Sequence, residues 1–149
     1  MWNPEYPAVA LASRDVKKGR DLVEKAAEFA HLRVVFSEHL PRDFRRASMF
    51  VYITRSEGLG SAALLAMNMG IPVIASRVGG LAEVVADGVS GILVQNDAHE
   101  IARAMRSILD QPCLAGQLIA QARARIAECF TLGHLVRGTL LSYTRALAV

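Results

Sequence analysis

The sequence predicts an α/β fold: a Rossmann-like, doubly wound parallel sheet of about five strands with a helical C-terminal tail. Three observations predict it. The short apolar runs are continuous rather than alternating, the pattern of strands buried on both faces. Stretches with helical spacing separate them, as in successive strand–helix units. The last third of the chain carries helical periodicity alone.

In chain order, residues 8–12 (Ala-Val-Ala-Leu-Ala) read as the first strand. A helix over about residues 18–30 follows, with Leu22, Ala26 and Phe29 on its apolar face. Residues 33–36 form the second strand, and Pro41 leads into a short helix near residues 42–47. Residues 49–53, 72–75 and 91–94 supply strands three to five. Between the third and fourth, a helix opens at the Gly58-Leu59-Gly60-Ser61 turn and closes at Gly70. Asn96 or Asp97 caps the next helix and Glu100 completes a capping box, with Ile101, Met105, Ile108 and Leu109 facing inward. A further helix carries Leu118, Ile119, Ala122 and Ile126, and a last one Leu135, Val136, Leu140, Tyr143 and Leu147. No repeat, low-complexity stretch or linker interrupts the pattern, so residues 1–149 read as a single domain.

Composition narrows the function classes. A chain of 149 residues with 52% hydrophobic and 21% charged residues is expected to fold around a real core. No apolar run approaches the roughly 20 residues of a transmembrane helix. The start, Met1-Trp2-Asn3-Pro4-Glu5, lacks the basic and apolar regions of a secretory signal. Cys113 and Cys129 have no CxxC spacing and fit a reducing compartment, so a cytoplasmic location is expected. Seventeen basic against 14 acidic residues give +3, a mild preference for anions. Without aromatic–basic interleaving, this is no nucleic-acid-binding signature. His31, His39, His99 and His134 lack metal-ligand spacing and no acidic cluster accompanies them, so no metal or other cofactor is expected.

The chemistry concentrates at Glu57-Gly58-Leu59-Gly60-Ser61. Glycines at a strand-to-helix turn let the backbone approach a ligand closely, and the helix start offers unpaired N–H groups to an anion. A phosphate-bearing ligand beside a carboxylate is the chemistry this pattern suggests. Each residue also has a plainer role open to it. Glu57 could simply complement the helix dipole, worth about 0.3–1 kcal/mol. Ser61 could be a helix cap. Gly79-Gly80 with Glu83 could be a tight turn before a helix, and Lys17-Lys18 a solvated face.

Taken together, Glu57-Gly58-Leu59-Gly60, Leu64, Ala66-Met67, Gly70, Pro72-Val73, Ala75-Ser76, Gly79-Gly80, Glu83-Val84-Val85, Asp87-Gly88 and Gly91 resemble glycosyltransferase family 4. These are retaining, nucleotide-sugar-dependent enzymes of the GT-B fold, built from an acceptor-binding N-terminal and a donor-binding C-terminal Rossmann-like domain. The chain resembles the C-terminal part only. The resemblance implies that Glu57 contacts the transferred sugar, that Gly58, Leu59, Gly60 and Ser61 receive the donor diphosphate, and that Gly80 lines the donor pocket. His39 stands near the family's base-contacting backbone. Leu65 occupies the position of the family's second glutamate, which faces the ribose. Losing that charged acceptor costs about 1.5–3 kcal/mol of donor binding.

Two registers fit the N-terminal third. In one, Lys17-Lys18 and Arg14 stand for the family's phosphate-binding pair after its first strand, although Ser13 occupies the arginine position and a strand–helix unit is lost before Arg33. In the other, favoured because it needs no deletion, residues 8–12 are the family's second strand and the phosphate-binding pair lies upstream. The second register removes a central strand. The sheet must then close differently, exchange elements with a second copy in a homo-oligomer, or recruit a partner chain. The last helix, which in the family packs toward the N-terminal domain, raises the same expectation of a partner.

The function implied is the nucleotide-sugar donor-binding part of a retaining glycosyltransferase that transfers a hexose to an acceptor hydroxyl, with little activity expected of the isolated chain. The alternative is a non-catalytic, truncated or degenerate module acting as a binding or partner subunit. A dehydrogenase is disfavoured, because Ser13-Arg14-Asp15 follows the first strand where GxGxxG is required.

Overall fold

A computed structural model describes residues 2–13, 15–131 and 133. The expected last helix, with His134, lies outside the described residues, as does Arg14. Five strands form one parallel sheet: β1 (Ala8–Leu11), β2 (Val34–Ser37), β3 (Met49–Tyr52), β4 (Val73–Ser76) and β5 (Ile92–Val94), in the order β2-β1-β3-β4-β5. The register runs Ala8 beside Val34 and Met49, Phe50 beside Val73, and Ile74 beside Ile92.

Between the strands run α1 (Arg20–Ala30), α2 (Leu40–Asp43), α3 (Ser61–Met69), α4 (Leu81–Val84), α5 (Ala98–Asp110) and α6 (Pro112–Cys129). Alternate strand residues point to opposite faces. Ala8, Ala10, Met49, Val51 and Ile74 meet α1 and α5 on one face. Val9, Phe50, Tyr52, Val73 and Ala75 meet α3 and α4 on the other. The helix α6 serves both layers, giving Ala115 and Leu118 to one core and Ala122 to the second.

Several expectations are corrected by packing. Phe29 is half exposed and stacks on His99 at 4.2 Å, because the buried stripe of α1 is Val23, Ala26, Ala27 and Ala30. The helix expected to begin at Lys18 begins at Arg20. Gly19 precedes it at φ 60°, where a Cβ would lie 2.6 Å from Ile53 Cγ2. Residues 16–18 form a separate 3-10 turn. The capping box of α5 is split: Asp97 accepts from the Glu100 N–H, whereas Glu100 accepts from Gln95 rather than from Asp97.

The expected central gap is absent. β1 pairs with β2 on one side and directly with β3 on the other, so the sheet closes within the chain and its two edges are β2 and β5. Neither an exchanged strand nor a partner chain is required to complete it.

Candidate functional site at the switch point

After β1 the chain steps outward to β2, then returns across β1 to β3. The loops leaving β1 and β3 therefore diverge at the carboxyl edge, the place where open α/β sheets build their sites. One contact pins these loops together and a second shapes the loop after β1. Lys17 O accepts from the Arg55 N–H at 2.8 Å, and Asp15 caps the intervening turn through the Lys17 N–H at 2.9 Å. A buried polar clip fixes where the β3 loop departs. The Thr54 N–H donates to Ser76 Oγ at 2.9 Å, Ser76 Oγ donates to Asn96 Oδ1, and Asn96 Nδ2 donates to Thr54 O at 3.0 Å.

Glu57 is the centre of this edge. Lys18 Nζ lies 3.0 Å from its Oε2, the Tyr52 hydroxyl donates to the same oxygen, and the Gly58 N–H donates to Oε1 at 3.1 Å. The Tyr52 hydroxyl, then Lys18 and the Gly58 N–H, hold the carboxyl below its ordinary value against the opposing effect of burial. Burial, reinforced by Glu57, pushes the Tyr52 phenol upward. A neutral phenol thus faces an ionised carboxylate throughout the neutral range.

Backbone packing explains the glycines. The Gly80 N–H donates to Glu57 O at 3.1 Å, and a Cβ on Gly80 would lie 1.8 Å from Gly58 O. A Cβ on Gly79 would lie 2.1 Å from Glu57 O. The double glycine is therefore the bed on which the Glu57–Leu59 loop rests, and the Gly80 N–H is engaged in holding it. Gly60, at φ 78°, turns the chain into α3 with Leu81 against it. Gly60 is the cap residue, so the plainer alternative for Ser61, a helix cap, does not hold; Ser61 is the first helical residue. The Gly60 carbonyl takes the N–H groups of Ala63 and Leu64, and no side chain caps α3. The Ser61 and Ala62 amides at its start are left to a ligand or water.

Beside this helix start lies an open cleft of about 610 Å³, walled by Leu11 and Ala12 at the end of β1, Ser37 and His39 at the end of β2, and Ser61 and Leu65 from α3. The structure thus joins Ser61, Leu65 and His39 in one cleft. Glu57, Gly58, Leu59 and Gly60 form the loop entering α3, with Leu59 strongly exposed. The side chain of Glu83 makes no contact with this loop among the described residues; its carbonyl accepts from Arg125. Tyr52 escaped sequence reasoning because it reads as the last apolar residue of a strand. Its polar tip, five residues before the carboxylate, was the available signal. Among the described residues, no group of three or more His, Cys, Asp or Glu could hold a metal ion, and no helix is long and apolar enough to cross a membrane.

Fold and geometry define the class: a Rossmann-like domain of the kind that makes up half of a GT-B enzyme. Residues 10–111 match the family model of glycosyl transferases group 1, and the chain belongs to that family. It is 40% identical over 114 residues to the D-inositol 3-phosphate glycosyltransferase of Streptomyces avermitilis, a match covering 76% of this chain and 24% of that one. Anabaena Alr3699/HepE, solved with UDP and with UDP-glucose, superposes with TM-scores of 0.78 and 0.77 over 93% of this chain and 49% of its own. At 17% and 16% identity, that likeness concerns the fold alone. The C-terminal domain of a glycosyl transferase group 1 family protein (LpcC) from Francisella tularensis matches with a TM-score of 0.71, 86% of this chain aligning with 89% of that one at 18% identity. The chain spans about a quarter of the curated relative's length.

Proposed function

We propose that this chain is a C-terminal GT-B-type domain that binds a nucleoside diphosphate sugar for a retaining glycosyltransferase, the hexose passing to an acceptor hydroxyl. The observation that carries this reading is the convergence, at the switch point, of an uncapped helix start, an ionised carboxylate and an open cleft. The diphosphate would lie against the amides at Leu59, Gly60 and Ser61, the Gly58 N–H being already held by Glu57 Oε1. There the helix dipole and fixed N–H groups stabilise the charge that grows on the leaving group. Glu57 would accept hydrogen bonds from the sugar. Ser61 and Leu65 line the cleft one helical turn apart, so a nucleoside extending from the phosphates along α3 would meet Leu65. Gly80 contributes by holding the loop in place. The acceptor site would come from the rest of a longer protein or from a partner chain, in keeping with the greater length of the relatives. The free, exposed Cys113 and Cys129 suit a reducing, cytoplasmic setting.

Leu65 supports a second reading, a degenerate module that binds nucleotide weakly and serves as a partner subunit, since leucine accepts no hydrogen bond from a ribose diol. Calorimetric titration with UDP, GDP and ADP, with Glu57→Ala in parallel and the oligomeric mass measured alongside, separates the two. Micromolar binding of one nucleotide is the expected result. No binding at millimolar concentration would remove the donor-domain reading and leave the partner subunit.

A further inference from the structure

Glu57 is held by two side chains of unlike mobility. Tyr52 is 5% exposed, lies on the central strand β3, and packs its ring on Phe50 at 5.3 Å. The Lys18 side chain is 27% exposed, stands on a short 3-10 turn, and reaches the carboxylate through a flexible stem. Both bind the same oxygen, Oε2, whereas Oε1 accepts only the adjacent Gly58 N–H. A carboxylate offers about two acceptor positions per oxygen. Tyr52 and Lys18 therefore fill Oε2, and one position remains on Oε1.

We propose that Tyr52 is the positioning residue of this site: its hydroxyl fixes the Glu57 carboxylate through Oε2 and leaves Oε1 as the oxygen offered to a hydroxyl of the bound sugar. The role rests on the donor-binding reading above. Lys18 is the exchangeable partner. An incoming diphosphate can draw its ammonium away, because Tyr52 alone still orients the carboxylate. The strand-borne ring makes the device stiff, since its rotamer is set by Phe50 and the sheet rather than by the ligand.

The test uses Tyr52→Phe, which keeps the ring and removes only the hydroxyl. Ile108→Val is the control, lowering stability from the opposite face of the sheet while leaving the Glu57–Tyr52 contact in place. Two quantities are measured on the 149-residue chain: the ratio of UDP-glucose to UDP affinity by calorimetry, and the titration of the Glu57 carboxyl by carbon NMR. In Tyr52→Phe the ratio is expected to fall about tenfold, the loss of one hydrogen bond to a charged group, with UDP affinity unchanged. The Glu57 titration is expected to move upward. Ile108→Val should move neither. A Tyr52→Phe protein with unchanged ratio and unchanged titration overturns the positioning role while the donor site stands. A wild-type chain that binds none of UDP, GDP, ADP and UDP-glucose, with Glu57 still titrating low, overturns the donor-binding reading and with it any role of Tyr52 toward a sugar.

Discussion

Two carboxylates of this domain, Glu57 and Asp87, are both held below their ordinary values, yet they do different work. Asp87 sits in the turn before β5. Burial opposes its ionisation, but the Leu93 N–H, donating to Oδ1 at 2.9 Å, and the Arg77 guanidinium on Oδ2 outweigh that. Arg77 also donates to Leu93 O at 3.3 Å, so the pair staples the turn to the edge strand. Glu57 is held chiefly by side chains from two other elements and keeps one acceptor position open. A depressed carboxyl is therefore no sign of a functional site by itself. The partners decide: backbone partners mark a structural staple, whereas side-chain partners around an open oxygen mark a group that can take a ligand.

The comparison breaks most severely at Gly80. A methyl group there would meet Gly58 O, so Gly80→Ala must displace the Glu57 loop and should cost about 3 kcal/mol in urea denaturation, abolishing UDP-glucose binding while the Asp87 turn stays formed. Asp87→Ala comes next. Losing its bond to the Leu93 N–H and its ion pair with Arg77 should cost about 2 kcal/mol, with UDP affinity retained in calorimetry. Glu57→Ala, by contrast, should cost only about 1 kcal/mol, because Lys18 returns to solvent and only the hydroxyl of the buried Tyr52 ring loses its partner.

Leu65→Glu sharpens the functional side of the comparison. It places a carboxylate in the cleft one turn along α3 from Ser61, and nucleotide affinity should rise about tenfold. A loss of stability with no gain in affinity would mean that the cleft has repacked around leucine. The smallest effect is the pH dependence. Both carboxyls have folded-state values below their unfolded ones, so their contribution is full above about pH 4 and is lost as pH falls through the lower, folded values. Asp87→Asn should flatten that acid limb of the urea-denaturation profile more than Glu57→Gln, because Asp87 ties its turn to β5 through the Leu93 N–H, whereas the backbone partner of Glu57 is the adjacent Gly58.

Much of the fold was legible because continuous apolar runs such as Phe50-Val51-Tyr52 and Val73-Ile74-Ala75 can be satisfied only in a sheet covered on both faces. The site was legible at Glu57, Gly58 and Gly60, where few residue types suit a turn that leaves a strand and opens a helix. Other features were not legible. Phe29 lies at helical spacing from Leu22 and Ala26, yet it faces outward, because periodicity does not say where a stripe ends. Tyr52 looked like core, and most of it is; only the position of Glu57 five residues later shows what its hydroxyl reaches.

The amino-acid order by itself determined the alternation of elements, the glycines at the turn into α3 and the family to which the chain belongs, since these depend on local backbone sterics and burial pattern. Only the tertiary structure decided that β1 closes directly on β3, that Gly79 and Gly80 lie under the Glu57 loop, and that Lys18 and Tyr52 share one carboxylate oxygen. Those facts join residues far apart along the chain, Lys18 and Glu57 standing 39 positions from each other. No local propensity encodes them, because they arise from the order and register in which the strands pair.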